Sequence, residues 1–201
     1  MFILIRTNKL FNKFQHIMIN GCYHMKNKTS TKEFKLSNNE RLFYDSPSVF
    51  KPKHYSDILP KAFKIFTFNA GFKKHFNDLL IIIFDVPANS VSLFSKTTTP
   101  SAPIIWNKIN NQKKTKALIV NSGNANAHTG DKGLKIIETY VKYLCNIYNC
   151  NKNEVIVSST GVIGELFNPI LIVNKIKLLQ QKENSSLLDA ANAILTTDTS
   201  Q

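Results

Sequence analysis

The chain of 201 residues is short of several things. It has three cysteines, Cys22, Cys145 and Cys150, an odd number with no CxxC spacing. That argues against a disulfide scaffold and a thiolate zinc site, and it fits a reducing compartment. Long apolar runs are missing: the longest, Leu79 to Phe84, is strand-sized and far below a membrane span. Of 26 basic residues, arginine supplies just Arg6 and Arg41. Acidic residues number 13, and the first 32 positions hold none. At 43% hydrophobic residues the chain still has material for a sizeable core, so a disordered chain is excluded. The length is that of one domain, or of one domain with a piece of another.

What is there in excess is lysine. The formal charge is +13, which invites a nucleic-acid reading. Residues 1–116 hold 19 Lys or Arg against 6 Asp or Glu, while residues 117–201 hold 7 of each. The excess therefore lies in the first part. Nucleic-acid sites favour Arg for bidentate and stacked contacts. A chain rich in Lys, Asn, Ile and Phe instead reflects AT-rich codons. A non-catalytic basic protein binding RNA or associated with ribosomes stays as the alternative, and it would lose RNA affinity steeply with salt. A hydrolase built on His128, Asp131 and Asp198 has no supporting spacing.

The first 32 residues place Arg6, Lys9, Lys13, Lys26, Lys28 and Lys32 among Phe2, Ile3, Leu4, Ile5, Leu10, Phe11 and Phe14. Basic, acid-free and amphipathic is the composition of a mitochondrial transit peptide, with the matrix as destination. A basic tail on a bacterial cytoplasmic protein is the alternative. Residues 1–52 read as leader and linker, and 53–201 as the folded part.

Leu79–Val86 is predicted as a buried strand stopped by Pro87, and Ser90–Phe94 as a half-buried strand. Thr97–Pro103 reads as a loop and Ile104–Trp106 as a further short strand. Ala117–Val120 is a strand feeding NSGNANAHTG, Asn121–Gly130. Asp131–Asn149 is an amphipathic helix, with Leu134, Ile137, Val141, Leu144 and Tyr148 on one face. Val155–Val157 is a strand running into SSTGVIGE, Ser158–Glu165. Asn168 and Pro169 open a helix to about Leu179, and Ser186 with Asp189 forms a capping box before another. The fold class is mixed α/β (α+β), with β-sheets covered by helices.

Three segments could carry chemistry. NSGNANAHTG offers small residues and amides at a strand-to-helix turn, where free N–H groups bind anions; a tight turn capped by Asn accounts for it equally well. It lacks phosphate-loop spacing, and His128 reads as structural. Thr160-Gly161 pairs a hydroxyl with a backbone N–H at a strand end, the equipment of an oxyanion hole, although many turns contain Thr-Gly. TTDT, Thr196–Thr199, offers hydroxyls and a carboxylate to a polar substrate, or is a plain helix-ending turn.

ALIVNSGNANAHTG, VSSTGVIGE and AILTTDT, in this order and spacing, resemble the ornithine acetyltransferase (glutamate N-acetyltransferase) family of arginine biosynthesis. The stretch from Pro60 to Ile105 resembles that family's N-terminal portion, with Ala62 where the family usually has glycine. The likeness covers residues 59–199. It implies part of an αββα-type sandwich and an acetyl transfer from N-acetylornithine to glutamate, with acetyl-CoA as a donor in some members. No cofactor or metal is implied, nor any nucleic-acid or membrane partner. Family members cut their backbone before a threonine, whose freed amine activates its own hydroxyl. By motif match Thr160 and Gly161 form the oxyanion hole, Thr196 is the best match to a substrate-binding threonine with Thr197 a close second, and NSGNANAHTG walls the site. The family's cleavage segment and nucleophile match nothing up to Gln201. The expectations that follow are a chain inactive alone, which needs the other processed half as a hetero-oligomeric partner, and which either is poorly soluble alone or is a truncated gene model or pseudogene product.

Overall fold

The structure is a computed structural model that describes residues 2–6, 62–110 and 113–196. In chain order it contains β1 (Phe2–Arg6), β2 (Phe63–Phe68), β3 (Leu79–Leu93), α1 (Ala102–Asn110), β4 (Lys114–Asn124), α2 (Gly130–Tyr148), a 3-10 turn (Lys152–Glu154), β5 (Val155–Val162), α3 (Ile170–Ile176) and α4 (Leu187–Ile194). These residues form a mixed α/β arrangement around one five-stranded sheet. β3 runs antiparallel to β4, and β4 parallel to β5. The second edge of β3 is shared: Leu79–Phe84 pairs with β2, and Asn89–Leu93 with β1. A parallel neighbour cannot be reached by a hairpin, so α2 makes the crossover from β4 to β5.

The continuous apolar runs of β3 and β4 follow from burial of both sheet faces. On one face Leu79, Ile81, Ile119, Val155 and Val157 pack with Trp106 of α1, Ile137, Tyr140, Val141 and Leu144 of α2, and Ile172 and Ile176 of α3. On the other, Leu80, Ile82, Leu118, Val120 and Ile156 pack with Phe63, Phe84 and, from α4, Ala190 and Ala193. Complete burial holds the Tyr140 phenol well above its ordinary pKa, since the anion would lose its hydration.

α4 is placed by the segment before it, which bonds to β2. Asn184 Oδ1 accepts from Ile65 N–H at 2.6 Å, and Ser185 N–H donates to Ile65 O at 2.8 Å. Thr67 N–H donates to Ser185 Oγ at 3.2 Å. The outer edge of β2 is thus satisfied by residues 184–185, and the helix starts at once. The expected capping box is present: Asp189 N–H donates to Ser186 Oγ at 3.0 Å, and Ser186 N–H to Asp189 Oδ2 at 3.0 Å. Ser186→Ala is expected to cost about 1 kcal/mol. Urea unfolding checks this, and an unmoved midpoint would count against the cap.

Two expectations need correction. Pro87 does not end a strand: β3 runs through it as one element, and the β3–β4 register shifts between Ile83 and Ala88. The proline lies in that shift, where its missing N–H costs no ladder bond. Ile104–Trp106 is not a strand but part of α1. Pro103 suits a first helical turn, and the helix is fixed by tertiary partners. Asn107 Nδ2–H donates to Val157 O at 2.7 Å, and Val157 N–H donates to Asn107 Oδ1 at 3.1 Å. The strand β2 had no counterpart in the sequence reading. Of the predicted leader and linker, residues 7–52 lie outside the described residues, while Phe2–Arg6 is the strand β1, paired with β3.

Candidate active site

Thr160 and Gly161 sit in the last turn of the ladder between β4 and β5. Ser122 pairs with Thr160 and Gly123 with Gly161, after which the register shifts at Asn124. Side chains alternate across a strand. Val155 and Val157 face α1–α3, and Ile156 faces α4, so Thr160 belongs to the α4 face. Its neighbour Ser122 confirms that side, donating its Oγ–H to Ala193 O in α4 at 2.6 Å. The last turn of α4 and the Thr160 position therefore share one face and one end of the sheet. Thr196 follows two residues after α4 and is exposed. Thr197 lies outside the described residues.

Gly161 has φ +131°, and a Cβ there would lie 2.3 Å from Gly123 C and 2.6 Å from Asn124 N. Both the angle and the space demand glycine. The backbones of β4 and β5 consequently approach closely at Gly161, which is exposed as a residue.

The NSGNANAHTG amides are committed to scaffolding. Ser159 Oγ–H donates to Asn121 Oδ1 at 2.6 Å, and Asn121 Nδ2–H to Asn124 O at 2.8 Å. Asn124 Nδ2–H reaches Glu165 O at 3.0 Å, while Asn126 N–H donates to Asn124 Oδ1 at 2.8 Å. Asn126 Nδ2–H donates to Gly133 O at 3.1 Å, and Thr129 Oγ1–H to Asn126 Oδ1 at 2.8 Å. Asn121, Asn124 and Asn126 are buried. They hold the turn itself, since each buried amide is already satisfied. His128 is exposed and stands beside Thr99, Ala102 and Ile105 at a surface hollow. Among the described residues no group of three His, Cys, Asp or Glu could hold a metal ion.

Sequence reasoning missed the loop between β2 and β3. Asp78 is fully buried and accepts three backbone N–H groups: Ala70 at 2.6 Å, Gly71 at 3.2 Å and Lys73 at 2.8 Å. Its own carbonyl accepts Ser122 N–H at 2.8 Å. The loop so shaped lays Phe72 over Gly123, where a Cβ would be 2.8 Å from Phe72 Cβ, and sets Phe72 edge-on to Phe167 at 5.0 Å. Lys73 Nζ donates to Leu195 O, just past the last turn of α4. A cation suits the carbonyl-rich end of a helix. Burial lowers the Lys73 pKa, with the Asp78 charge opposing that shift. Their spacing, a lysine and an aspartate five residues apart after a glycine, is no motif in the sequence; the burial that gives Asp78 its part is visible only in the fold.

The ArgJ family profile matches residues 64–201. The chain is 40% identical over 139 residues to the arginine biosynthesis bifunctional protein ArgJ of Bartonella henselae, covering 68% of this chain and 34% of that protein. To the protein of that name from Chlorobaculum tepidum it is 34% identical, covering 76% of this chain and 39% of the relative. The chain thus spans little more than a third of the length of these curated relatives. Among solved structures, it is similar to the Bacillus halodurans arginine biosynthesis bifunctional protein ArgJ, with a TM-score of 0.61 and 34% identity, covering 69% of this chain and 74% of that one. It is also similar to Mycobacterium tuberculosis ornithine acetyltransferase complexed with ornithine, with a TM-score of 0.62 and 26% identity over 70% of this chain and 78% of that one. No helix among the described residues is long and apolar enough to cross a membrane.

Proposed function

This chain belongs to the ArgJ family, and on that premise we propose that it supplies the oxyanion-binding and substrate-binding elements of an acetyltransferase of arginine biosynthesis. The reaction is transfer of acetyl from N-acetylornithine to glutamate, to which some family members add acetyl-CoA as a donor. The observation that carries this reading is the shared position of Thr160 and the end of α4 at one end of the β4–β5 ladder, with Gly161 held against Gly123.

The Thr160 hydroxyl and the Gly161 N–H are the two donors for the carbonyl oxygen of the acetyl group. They gain strength as that oxygen takes up negative charge in the tetrahedral intermediate. The buried amides of Asn121, Asn124 and Asn126 keep the two donors from moving when charge develops, so no reorganisation is needed during reaction. Thr196, just past α4, binds the amino-acid part of the substrate, with Thr197 as the second candidate by motif match. In this reading the nucleophilic threonine belongs to the other processed half, which completes the site as a hetero-oligomeric partner. The ornithine held by the mycobacterial neighbour supports the substrate class. The acid-free basic start supports delivery to the mitochondrial matrix, while the bacterial relatives support a bacterial cytoplasm.

The test joins this chain to the C-terminal remainder of a curated ArgJ relative. The chain alone is expected to show no transfer above background, and the completed protein to transfer acetyl from N-acetylornithine to glutamate. In it Thr160→Ala is expected to lower kcat about 100- to 1,000-fold, with partial recovery in Thr160→Ser. Unchanged kcat in Thr160→Ala would overturn the oxyanion assignment.

A further inference from the structure

Cys145 lies in the last turn of α2, and Cys150 follows two residues after the helix ends. Asn149, between them, adopts the left-handed conformation with φ 47°, and its N–H donates to Cys145 O. Cys150 N–H donates to the same carbonyl at 3.2 Å. This αL cap turns the chain back on itself and brings Cys150 Sγ within 3.7 Å of Cys145 Sγ, the Cys150 thiol donating. The far side of the turn is also pinned: Asn151 N–H donates to Glu154 Oε2 at 2.8 Å. Both cysteines are half-buried at the margin of the core.

We propose that Cys145 and Cys150 form a reversible thiol–disulfide exchange site whose substrate class is low-molecular-weight disulfides such as oxidised glutathione. Cys145 is the attacking sulfur and Cys150 the resolving one. Bond formation requires the sulfurs to close from 3.7 Å to about 2 Å. The division of roles follows from the hydrogen bond. Donation from Cys150 lowers the pKa of Cys145, against burial and the Glu154 charge. The same bond, with burial and the charges of Cys145 and Glu154, raises that of Cys150, with Lys116 opposing.

The steps balance without any other reagent. The Cys145 thiolate attacks one sulfur of the disulfide, whose S–S bond breaks, and a glutathione thiolate leaves. Cys150 Sγ then attacks Cys145 Sγ in the mixed disulfide and expels the second glutathione thiolate, while its own proton passes to a glutathione thiolate. Two protein thiols are oxidised and one glutathione disulfide is reduced. Cys150 stands before the start of β5 and Thr160 near its end, so the proposal does not rest on the acetyltransferase reading.

The experiment uses the full chain carrying Cys22→Ser, which leaves these two thiols. Under native conditions with oxidised glutathione, intact mass and thiol titration follow the reaction. The expected result is joint loss of both thiols with loss of two hydrogens, restored by dithiothreitol. Adding Cys150→Ser is expected to stop the reaction at one glutathione adduct on Cys145. Adding Cys145→Ser is expected to slow modification of Cys150 about tenfold or more. Adducts accumulating on both thiols without bridging, or Cys150 reacting as fast as Cys145, would overturn the proposal. Peptide mapping of the partly oxidised two-cysteine chain reads the same outcomes where a serine variant fails to fold.

Discussion

Gly161→Ala is expected to destabilise the chain by ~2–4 kcal/mol, because the new methyl group has nowhere to go. Its carbon would stand 2.3 Å from Gly123 C, and both neighbours are backbone rather than movable side chains. Relief requires β4 and β5 to part at their last paired residues, where Gly123 is itself held under Phe72. The control is Gly164→Ala. Gly164 also has a positive φ, +87°, but open space around the would-be Cβ, so its cost is backbone strain alone, about 1 kcal/mol. Urea unfolding of the two variants side by side separates crowding from strain. Equal losses would show that the close approach at Gly161 does not exist in solution.

Asp78→Asn is expected to cost about 2–4 kcal/mol although it preserves size, since hydrogen bonds to a charged acceptor are each worth about 1.5–3 kcal/mol. The carboxylate offers two accepting oxygens to three backbone N–H groups. An asparagine can satisfy the Ala70 N–H through its one oxygen, but it then turns an NH2 group toward the N–H groups of Gly71 and Lys73. Buried donors facing donors are penalised in full. The loss should spread: Phe72 loosens over Gly123, and Lys73 loses its anionic neighbour. Amide hydrogen exchange should rise across residues 69–78 and at Ser122, whose N–H binds the Asp78 carbonyl. Exchange rising at residues 69–78 with Ser122 unaffected would mean that loop and ladder are not coupled.

Much of the helix and strand content was legible in the sequence, for physical reasons specific to each element. α2 was legible because its apolar residues keep a helical period, and α4 because Ser186 and Asp189 stand at capping-box spacing. The central strands were legible as short apolar runs between turn residues. α1 was not. Two isoleucines and a tryptophan after a Pro-rich loop look like a strand, and what makes them helical is distant: the Asn107 side chain binding Val157. β3 was split at Pro87 because sequence does not show a register shift in a neighbouring strand.

The site was half legible. Thr160-Gly161 stood out by chemistry, and the family resemblance gave it a role. That Thr160 and the end of α4 share a sheet face depends on which side α4 crosses, and no local pattern encodes it. Lys73 and Asp78 carry no motif by themselves; their part emerges from a loop folding onto a strand and a helix end far along the chain.

The side chain of Asn107 has a last consequence. Its amide gives and takes one hydrogen bond each with Val157, the same exchange a neighbouring strand would make. That rung of the outermost strand is therefore plugged, and a foreign chain cannot zip along it from end to end. Any polypeptide that docks there in extended form must begin beyond Val157, and so is steered toward the end where Thr160 stands.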